Sequence, residues 1–240
     1  MIESNISPDV TIIIPVYNEE AILRDALVEL IDRLGANVAP YEIVIAENGS
    51  TDRTRQIGNA LALEFPQVRM RHTDAPNYGA ALRDAILDAR GEIVVCDEID
   101  LCDVDFLHRA TALIRAEAID LVVGSKTMPG ANDRRPWVRR AGTHTINALL
   151  RLTLGFRGTD THGLKAFQRR GLAPVASSCV ADKDLFASEL VIRAARKGLE
   201  VREIPVDVQE KRPPTVGLAR RVPNVMKNLA KLVIAIRIKP

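Results

Sequence analysis

Apolar runs alternate with helical patterns along the first hundred residues. Four short runs rich in β-branched residues predict buried strands, over residues 10–16, 41–46, 68–71 and 92–96. Between them, apolar residues recur at helical spacing and predict helices over residues 18–34, 52–64 and 77–90. Asn18 and Ser50 are the expected caps of the first two helices, and Gly35 is the expected end of the first. The order β-α-β-α-β-α-β predicts a mostly parallel sheet with right-handed crossovers.

The pattern continues less regularly after residue 103. It predicts strands over residues 120–123 and 200–208, and helices over residues 103–116, from 138 to 154, and 182–197. A loop rich in Pro, Gly and Arg is expected at 125–137, and an irregular to extended segment at 157–167. No repeat or interior linker interrupts the chain. We therefore predict an α/β fold with one domain over residues 1–210 and a basic amphipathic tail over residues 211–240.

The composition is that of an ordinary globular protein, with 47% hydrophobic and 27% charged residues. The three cysteines, Cys96, Cys102 and Cys179, include no CxxC pair. This favours a reducing compartment over a disulfide framework or a zinc site. The N-terminus does not resemble a secretory leader, and no run of about 18 apolar residues is present. We therefore expect a cytoplasmic protein without a membrane-spanning helix.

Charge is unevenly distributed along the chain. Residues 211–240 contain eight basic residues and no acidic one, whereas residues 1–210 contain 25 basic and 31 acidic residues. An acidic body with a basic tail is typical of a protein that meets an anionic surface. The aromatic content of 4% and the acidic body argue against nucleic-acid binding.

The tail also has an apolar face. If residues 224–239 form a helix, one broad side of it is apolar. Such a segment either lies in a membrane interface, at the cytoplasmic side, or packs on the body or on a second copy of the chain. The face comprises Val225, Met226, Leu229, Leu232, Val233 and Ile236.

Acidic side chains follow the fourth predicted strand. Glu98 and Asp100 stand two residues apart, just beyond the buried run that ends at Cys96. Open α/β sheets bind ligands at the carboxyl ends of their strands, and carboxylates at this spacing can share one divalent cation. We therefore predict a metal site here, since Asp97 and Asp103 add to a crowd of acids that would repel one another without a cation. The alternative is a solvated acidic loop.

Two other strand ends are candidates for nucleotide contact. Tyr17 and Glu19 follow Pro15, and they are placed to pack a base and to accept a hydrogen bond from base or ribose. Glu47 ends the second strand and is a candidate partner for a nucleobase N–H. The local alternatives are a strand stop with a helix cap, and a tight turn with Gly49 at positive φ. Neither GxGxxG nor GxxxxGK[ST] follows the first strand, which removes the main support for dinucleotide or P-loop binding.

A basic loop provides the opposite charge. Arginine forks and a lysine ammonium in this loop suit a phosphate that approaches a metal-bound diphosphate. The alternative is a solvated basic surface. The residues concerned are Lys126, Arg134, Arg135, Arg139 and Arg140.

Taken in order, short motifs of this chain resemble family 2 glycosyltransferases of the GT-A fold, and within them the dolichyl-phosphate and polyprenyl-phosphate sugar synthases. The resemblance covers about residues 10–210. It rests on IIPVYNEE at residues 13–20, ENGSTD at 47–52, NYG at 77–79, GEIV at 91–94, EIDL at 98–101, GSK at 124–126, Arg139 and Arg140 ahead of Asn147, DTHGLKAF at 160–167 and EIPV at 203–206.

The chain departs from the usual family pattern at four positions. Glu47 stands where an Asp opens the usual Asp-Asp-Gly-Ser, and Glu98 where an Asp opens the usual Asp-x-Asp. Cys102 replaces a frequent Gln, and Lys126 keeps the charge of a common Arg but loses its fork. The first change bears on base preference, and the second still allows a metal to be held.

The resemblance implies a metal-dependent inverting transfer of a sugar from a UDP- or GDP-sugar to a polyprenyl or dolichyl phosphate. It implies Mg²⁺ or Mn²⁺ on Glu98 and Asp100, with direct roles in the reaction for Asp100, Lys126 and Arg140. Contacts to the nucleotide sugar are implied for Pro15, Tyr17, Glu19, Glu47, Asn77 and Glu98. Contacts to the acceptor phosphate are implied for Lys126, Arg139, Arg140 and Arg212.

Two alternative functions are also compatible with the sequence. One is a glycosyltransferase that uses a soluble or glycan acceptor, in which case the tail serves assembly. The other is a non-catalytic, membrane-associated protein that retains the fold, for which the altered acidic motifs are the only support. Metal-dependent hydrolysis of a nucleotide sugar argues against the second.

Overall fold

A seven-stranded sheet forms the centre of the molecule. The architecture comes from a computed structural model that describes residues 7–35, 39–183, 185–208 and 218–237. The strands of the sheet are β1 (Val10–Val16), β2 (Tyr41–Asn48), β3 (Val68–Thr73), β4 (Ile93–Cys96), β5 (Leu121–Ser125), β7 (Lys165–Gln168) and β8 (Val201–Pro205). Their order is β3-β2-β1-β4-β7-β5-β8, and every pairing is parallel except those of β7 with β4 and β5. The short strands β6 (Asn132–Asp133) and β9 (Asp207–Val208) pair separately.

Side chains of the central strands alternate between two buried cores, one on each face of the sheet. Ile13 and Val94 belong to one core, whereas Ile12, Ile14 and Val95 belong to the other. A strand that is apolar on both faces is covered by helices on both sides, as in parallel sheets joined by crossover helices. The prediction of a mostly parallel α/β sheet is confirmed.

Helices cover the two faces of the sheet. They are α1 (Leu23–Leu34), α2 (Thr54–Glu64), α3 (Tyr78–Asp88), α4 (Val104–Glu117), α5 (Trp137–Leu154), α6 (Arg169–Ser178), α7 (Phe186–Arg196) and α8 (Leu218–Arg237). The sequence pattern did not predict α6. Pro174 stands inside this helix, and its buried residues are only Leu172, Val175 and Ala176, which is too short a series to indicate a helical period.

The predicted capping roles of Asn18 and Ser50 are wrong. The first two helices begin later, at Leu23 and Thr54, without a side-chain cap. Asn18 instead has a φ of 55°, and its side-chain oxygen accepts from the backbone N–H of Thr51 at 2.8 Å. The hydroxyl of Ser50 accepts from the backbone N–H of Asn18 at 3.0 Å. The two polar residues therefore join neighbouring turns, which satisfies the same kind of backbone group that a helix cap would satisfy.

The second half of α8 packs on the body of the molecule. Leu229, Leu232 and Ile236 belong to the same buried core as Leu154 of α5. Arg196 of α7 donates a hydrogen bond from Nη1 to the carbonyl oxygen of Ile236 at 3.1 Å. For this part of the tail, the geometry supports the alternative of a helix packed on the body.

The outer side of α8 is basic. Lys227, Lys231 and Arg237 are exposed. Of the predicted apolar face, the side chains of Val225 and Met226 lie outside the described part of the chain. Within the ranges described, no helix combines the length and the apolar composition needed to cross a bilayer.

Replacing Leu232 with alanine is expected to lower the free energy of unfolding by about 2–4 kcal/mol, because the side chain is fully buried. Ile234 lies on the same helix but is 51% exposed, so Ile234→Ala is a matched control with an expected loss below about 1 kcal/mol. Urea denaturation followed by circular dichroism measures both variants. Equal losses for the two variants would contradict the packing of α8 on the body.

Candidate active site

The carboxyl ends of β1 and β4 lie side by side where the strand order reverses. The chain runs outward from β1 in both directions, to β2 and β3 on one side and to β4 on the other. Ligands of open α/β sheets bind at this switch point, beyond the carboxyl ends of the strands. The backbone N–H of Asp97 donates to the carbonyl of Ile13 at 2.9 Å. The acidic stretch after β4 therefore lies beside the turn that follows β1.

Glu98 and Asp100 lie in a tight turn after β4. The backbone N–H groups of Leu101 and Cys102 donate to the carbonyl of Glu98 at 2.9 and 3.0 Å. The pKa of Glu98 is raised, first by surrounding protein atoms that displace water and then by the negative charge of Asp100. The Glu98 side chain is exposed to solvent, so the repulsion from Asp100 accounts for this shift. The two carboxylates therefore interact electrostatically within this turn.

This pair fits a magnesium or manganese ion that takes its other ligands from phosphate and water. Mg²⁺ is usually bound in proteins through one or two carboxylates together with substrate phosphates. Among the described residues, no group of three or more His, Cys, Asp or Glu side chains is arranged to hold a metal. The donor set is therefore too small to enclose a cation by itself, but it suits a cation shared with a diphosphate.

Asp97 supports the turn from inside. Its side chain is buried, and its two oxygens accept from the backbone N–H groups of Glu98 at 2.7 Å and Asp103 at 2.9 Å. Burial raises the pKa of Asp97 to about 7, although these two hydrogen bonds oppose the shift. Asp97 thereby ties the acidic turn to the start of α4.

Two buried lysines border the acidic turn. Lys126 follows β5, and its Nζ lies 2.7 Å from Oδ2 of the fully buried Asp160. Burial opposes ionisation of Asp160, but Lys126 holds the pKa of this carboxyl below its ordinary value. Lys165, at the start of β7, donates to the carbonyl of Gly163 at 2.6 Å, and burial lowers its pKa to about 8. Both ammonium groups act electrostatically on Glu98.

Glu203 of β8 holds the turn that carries Asp160. Its carboxylate accepts from the backbone N–H groups of Thr159 at 2.7 Å and Asp160 at 3.0 Å. The hydroxyls of Ser125 and Thr159 also share a hydrogen bond of 2.6 Å. Sequence reasoning assigned no role to Asp160, Lys165 or Glu203, although all three lie in motifs that carried the family resemblance. These residues come together only in the tertiary structure. The order of the motifs is therefore the only feature of the sequence that points to them.

The turn after β1 forms the rim of the site. Tyr17 is 43% exposed there, and Pro15 and Glu19 are half-buried. The backbone N–H of Glu19 donates to the hydroxyl of Thr54 at 2.7 Å, which adds to the bonds between this turn and the one after β2. The predicted donor-binding residues Pro15, Tyr17 and Glu19 therefore lie together at one edge, and their turn is hydrogen-bonded to the segment after β2.

Glu47 differs from its predicted environment because it is fully buried. Its Oε1 accepts from the backbone N–H of Ser50 at 2.5 Å, and its Oε2 contacts Nδ1 of His72. A nucleobase contact by Glu47 would use the remaining lone pairs of these engaged oxygens or would require His72 to move. Sequence reasoning had overlooked His72, which lies opposite Glu47 in the β2–β3 register.

Asn77 has a structural position next to this rim. Its side-chain oxygen caps α3 by accepting from the backbone N–H of Ala80 at 3.1 Å. Its own backbone N–H donates to the side-chain oxygen of Asn48 at 2.5 Å. Asn77 thus anchors the start of α3 to the end of β2.

The basic loop is only partly directed at the acidic turn. Arg135 pairs with Asp133 at 2.7 Å and acts electrostatically on Glu98. Arg140 is exposed in the first turn of α5, and Arg139 is half-buried beside it. The predicted acceptor residue Arg212 lies outside the described residues.

The family model described as glycosyl transferase family 2 matches residues 11–174. Glycosyltransferase AglD of Haloferax volcanii is 30% identical over 219 residues, which cover 89% of this chain and 35% of AglD. The low-salt glycan biosynthesis hexosyltransferase Agl6 of the same organism is 26% identical, and the match covers 85% of this chain and 48% of Agl6. The chain thus spans about a third to a half of these two relatives.

Another relative matches over most of both chains. The dolichyl-phosphate hexose transferase of Haloferax volcanii is 28% identical, and the match covers 85% of this chain and 84% of that protein. Among solved structures, glucosyl-3-phosphoglycerate synthase from Mycobacterium tuberculosis, in complex with Mn²⁺ and UDP, has a TM-score of 0.66 at 21% identity. That match covers 97% of this chain and 81% of the synthase. The likeness in structure confirms the predicted GT-A architecture.

Proposed function

The chain belongs to glycosyl transferase family 2, and on this basis we propose that it transfers a sugar from a UDP- or GDP-sugar to a polyprenyl or dolichyl phosphate. The names of relatives from Haloferax volcanii and Saccharomyces cerevisiae, which include dolichyl-phosphate hexose transferase and dolichyl-phosphate beta-glucosyltransferase, support this acceptor class. The UDP and Mn²⁺ bound to the mycobacterial synthase support a nucleotide donor with a divalent metal.

The observation that carries the proposal is the position of Glu98 and Asp100. They lie at the switch point of the sheet, beside the rim formed by Tyr17 and within electrostatic range of Lys126 and Lys165. Carboxylates bordered by ammonium groups suit a ligand that combines a cation with phosphate oxygens. A nucleotide diphosphate is such a ligand.

The acceptor explains why no general base is needed. A phosphate oxygen is already deprotonated at neutral pH, so it attacks the anomeric carbon directly as the bond to the nucleotide diphosphate breaks. The leaving diphosphate keeps the bonding electron pair, and the configuration at the anomeric carbon inverts. Mg²⁺ or Mn²⁺, held by Glu98 and Asp100, would supply neutralisation of the leaving group.

The remaining work falls to positive side chains and to positioning. We assign the acceptor phosphate to Arg140, whose exposed guanidinium is free of burial, and to the neighbouring Arg139. Lys126 contributes its positive charge from the protein interior, where its ammonium pairs with Asp160. Binding both reactants in line lowers the barrier, because the loss of their translational and rotational entropy occurs on binding and not in the reaction step.

The decisive experiment is a transfer assay with purified protein, Mn²⁺ or Mg²⁺, and UDP- and GDP-sugars. We expect chelator-sensitive formation of a sugar-phosphate lipid when polyprenyl phosphate is supplied. Transfer only to a soluble sugar or glycan would favour the alternative acceptor class. Neither transfer nor donor hydrolysis with any donor would favour the non-catalytic alternative and contradict the proposal.

Peripheral membrane contact is the remaining part of the proposal. The outer side of α8 presents Lys227, Lys231 and Arg237 together with the exposed Ile234, which suits an anionic lipid surface. The transfer assay in vesicles with and without anionic lipid tests this contact. Equal rates and equal vesicle binding in both would contradict it.

A further inference from the structure

His72 is a half-buried side chain that the proposed reaction has not used. It lies on β3 directly opposite Glu47 of β2, and its Nδ1 contacts Oε2 of that fully buried carboxylate. An ionised carboxylate only accepts hydrogen bonds, so Nδ1 carries a proton in this contact. On the other side of the ring, Nε2 lies 3.3 Å from Oδ1 of the exposed Asp74. The imidazole therefore provides Glu47 with the partner that a buried charge requires.

Glu47 connects His72 to the rim of the site. Its second oxygen, Oε1, accepts from the backbone N–H of Ser50 at 2.5 Å. The hydroxyl of Ser50 in turn accepts from the backbone N–H of Asn18 at 3.0 Å. Asn18 lies in the rim turn, next to Tyr17. A continuous series of polar contacts thus leads from His72 on β3 to the turn after β1.

The rim turn has an uncommon backbone conformation that these contacts maintain. Asn18 has a φ of 55°, in the left-handed region that residues with a Cβ seldom adopt. Such conformations persist where the surrounding structure holds them, and they are frequent at ligand-binding sites. Here the turn after β2 holds Asn18 from two sides, through the Ser50 hydroxyl and through the N–H of Thr51 at 2.8 Å. A displacement of that turn would therefore alter the rim.

We infer that His72 is a positioning residue for the nucleotide part of the donor. It holds the buried Glu47, Glu47 holds the turn after β2, and that turn holds the rim. Without the imidazole, one oxygen of Glu47 is buried without a donor, which favours rotation of the carboxylate toward water and breaks its bond to Ser50. This inference deepens the proposed function, because it assumes that the rim binds the nucleoside of a nucleotide sugar.

The test measures affinity by calorimetry in the presence of Mn²⁺, with UDP, GDP and inorganic pyrophosphate as ligands. Pyrophosphate shares the diphosphate of the nucleotides but has no nucleoside, so it does not use the rim. We expect His72→Leu to bind the preferred nucleotide about tenfold more weakly and to bind pyrophosphate as tightly as the wild type. His72→Asn should bind both within about twofold of the wild type, because its amide can donate to Glu47 from the place of Nδ1.

A double-mutant cycle tests whether His72 acts through Glu47. In a Glu47→Gln background, His72→Leu should cost little further nucleotide affinity, since the buried charge is already absent. Ser50→Ala breaks the next contact of the series and should weaken nucleotide binding by about fivefold without affecting pyrophosphate. His108→Leu, which removes an exposed histidine on α4, is the matched control and should leave every affinity unchanged.

Unchanged nucleotide affinity in a folded His72→Leu protein, or an equal loss of nucleotide and pyrophosphate affinity, would overturn the inference. If that variant does not fold, unchanged nucleotide affinity in Ser50→Ala overturns it. A wild type that binds neither UDP nor GDP would contradict the proposed donor and this inference together. Absence of sugar transfer to polyprenyl phosphate, with nucleotide binding as expected here, would contradict the proposed acceptor alone.

Discussion

Replacing Asp100 with alanine is expected to lower kcat/KM for sugar transfer by about a thousandfold or more while leaving the protein folded. Asp100 is half-buried in the turn after β4 and acts electrostatically on Glu98, and in the proposed site its loss leaves one carboxylate for the cation. A metal that neutralises a leaving diphosphate contributes several kcal/mol to the transition state, and about 4 kcal/mol corresponds to a thousandfold in rate.

The measurement is the rate of transfer from a labelled nucleotide sugar to polyprenyl phosphate at several Mn²⁺ concentrations. Asp105→Ala is the matched control, because Asp105 is also an acid close to this turn, but it is exposed on α4 and pairs with Arg109 one helical turn away. That variant should retain nearly normal kcat/KM, since an exposed pair of this kind contributes little. Near-normal turnover by Asp100→Ala would remove the metal role from this residue.

The strands that build the site could be predicted from the sequence because their signal is local. Val10–Val16 and the run before Cys96 are buried on both faces, so every residue in them is apolar or β-branched. The position of Glu98 and Asp100 then follows from sheet geometry, since ligands of an open α/β sheet bind beyond the carboxyl ends of its strands.

The contacts that hold the site could not be predicted in the same way, because each depends on residues far apart in the chain. Asn18 and Ser50 have the composition of helix caps, yet they bond across 32 residues to each other's turn. Lys165 lies in a motif with no recognisable chemistry, and only the antiparallel insertion of β7 brings it beside Cys96. Composition indicates that such polar groups need partners, but topology decides which ones.

Replacing Gly163 with alanine is expected to lower the free energy of unfolding by about 3 kcal/mol or more and to abolish transfer. A Cβ added at this position would overlap the carbonyl oxygen of Gly124 and would lie 2.9 Å from its carbonyl carbon. Both neighbours are backbone atoms of a central strand, and the N–H of Gly124 also donates to the carbonyl of Leu164 at 2.8 Å. Neither segment can move without breaking this pairing, so the strain is large.

The control is Gly171→Ala in α6, where a Cβ would lie 3.6 Å from Oδ1 of Asp120, an ordinary contact. Alanine is favoured over glycine inside a helix, so this variant should match the wild type or exceed it by up to about 1 kcal/mol. Urea denaturation and the transfer assay measure both proteins. Because the segment around Gly163 also carries Asp160, the partner of Lys126, loss of stability and loss of transfer should occur together in Gly163→Ala. A stable Gly163→Ala protein with normal transfer would show that the close approach to Gly124 is not required by the fold or by the site.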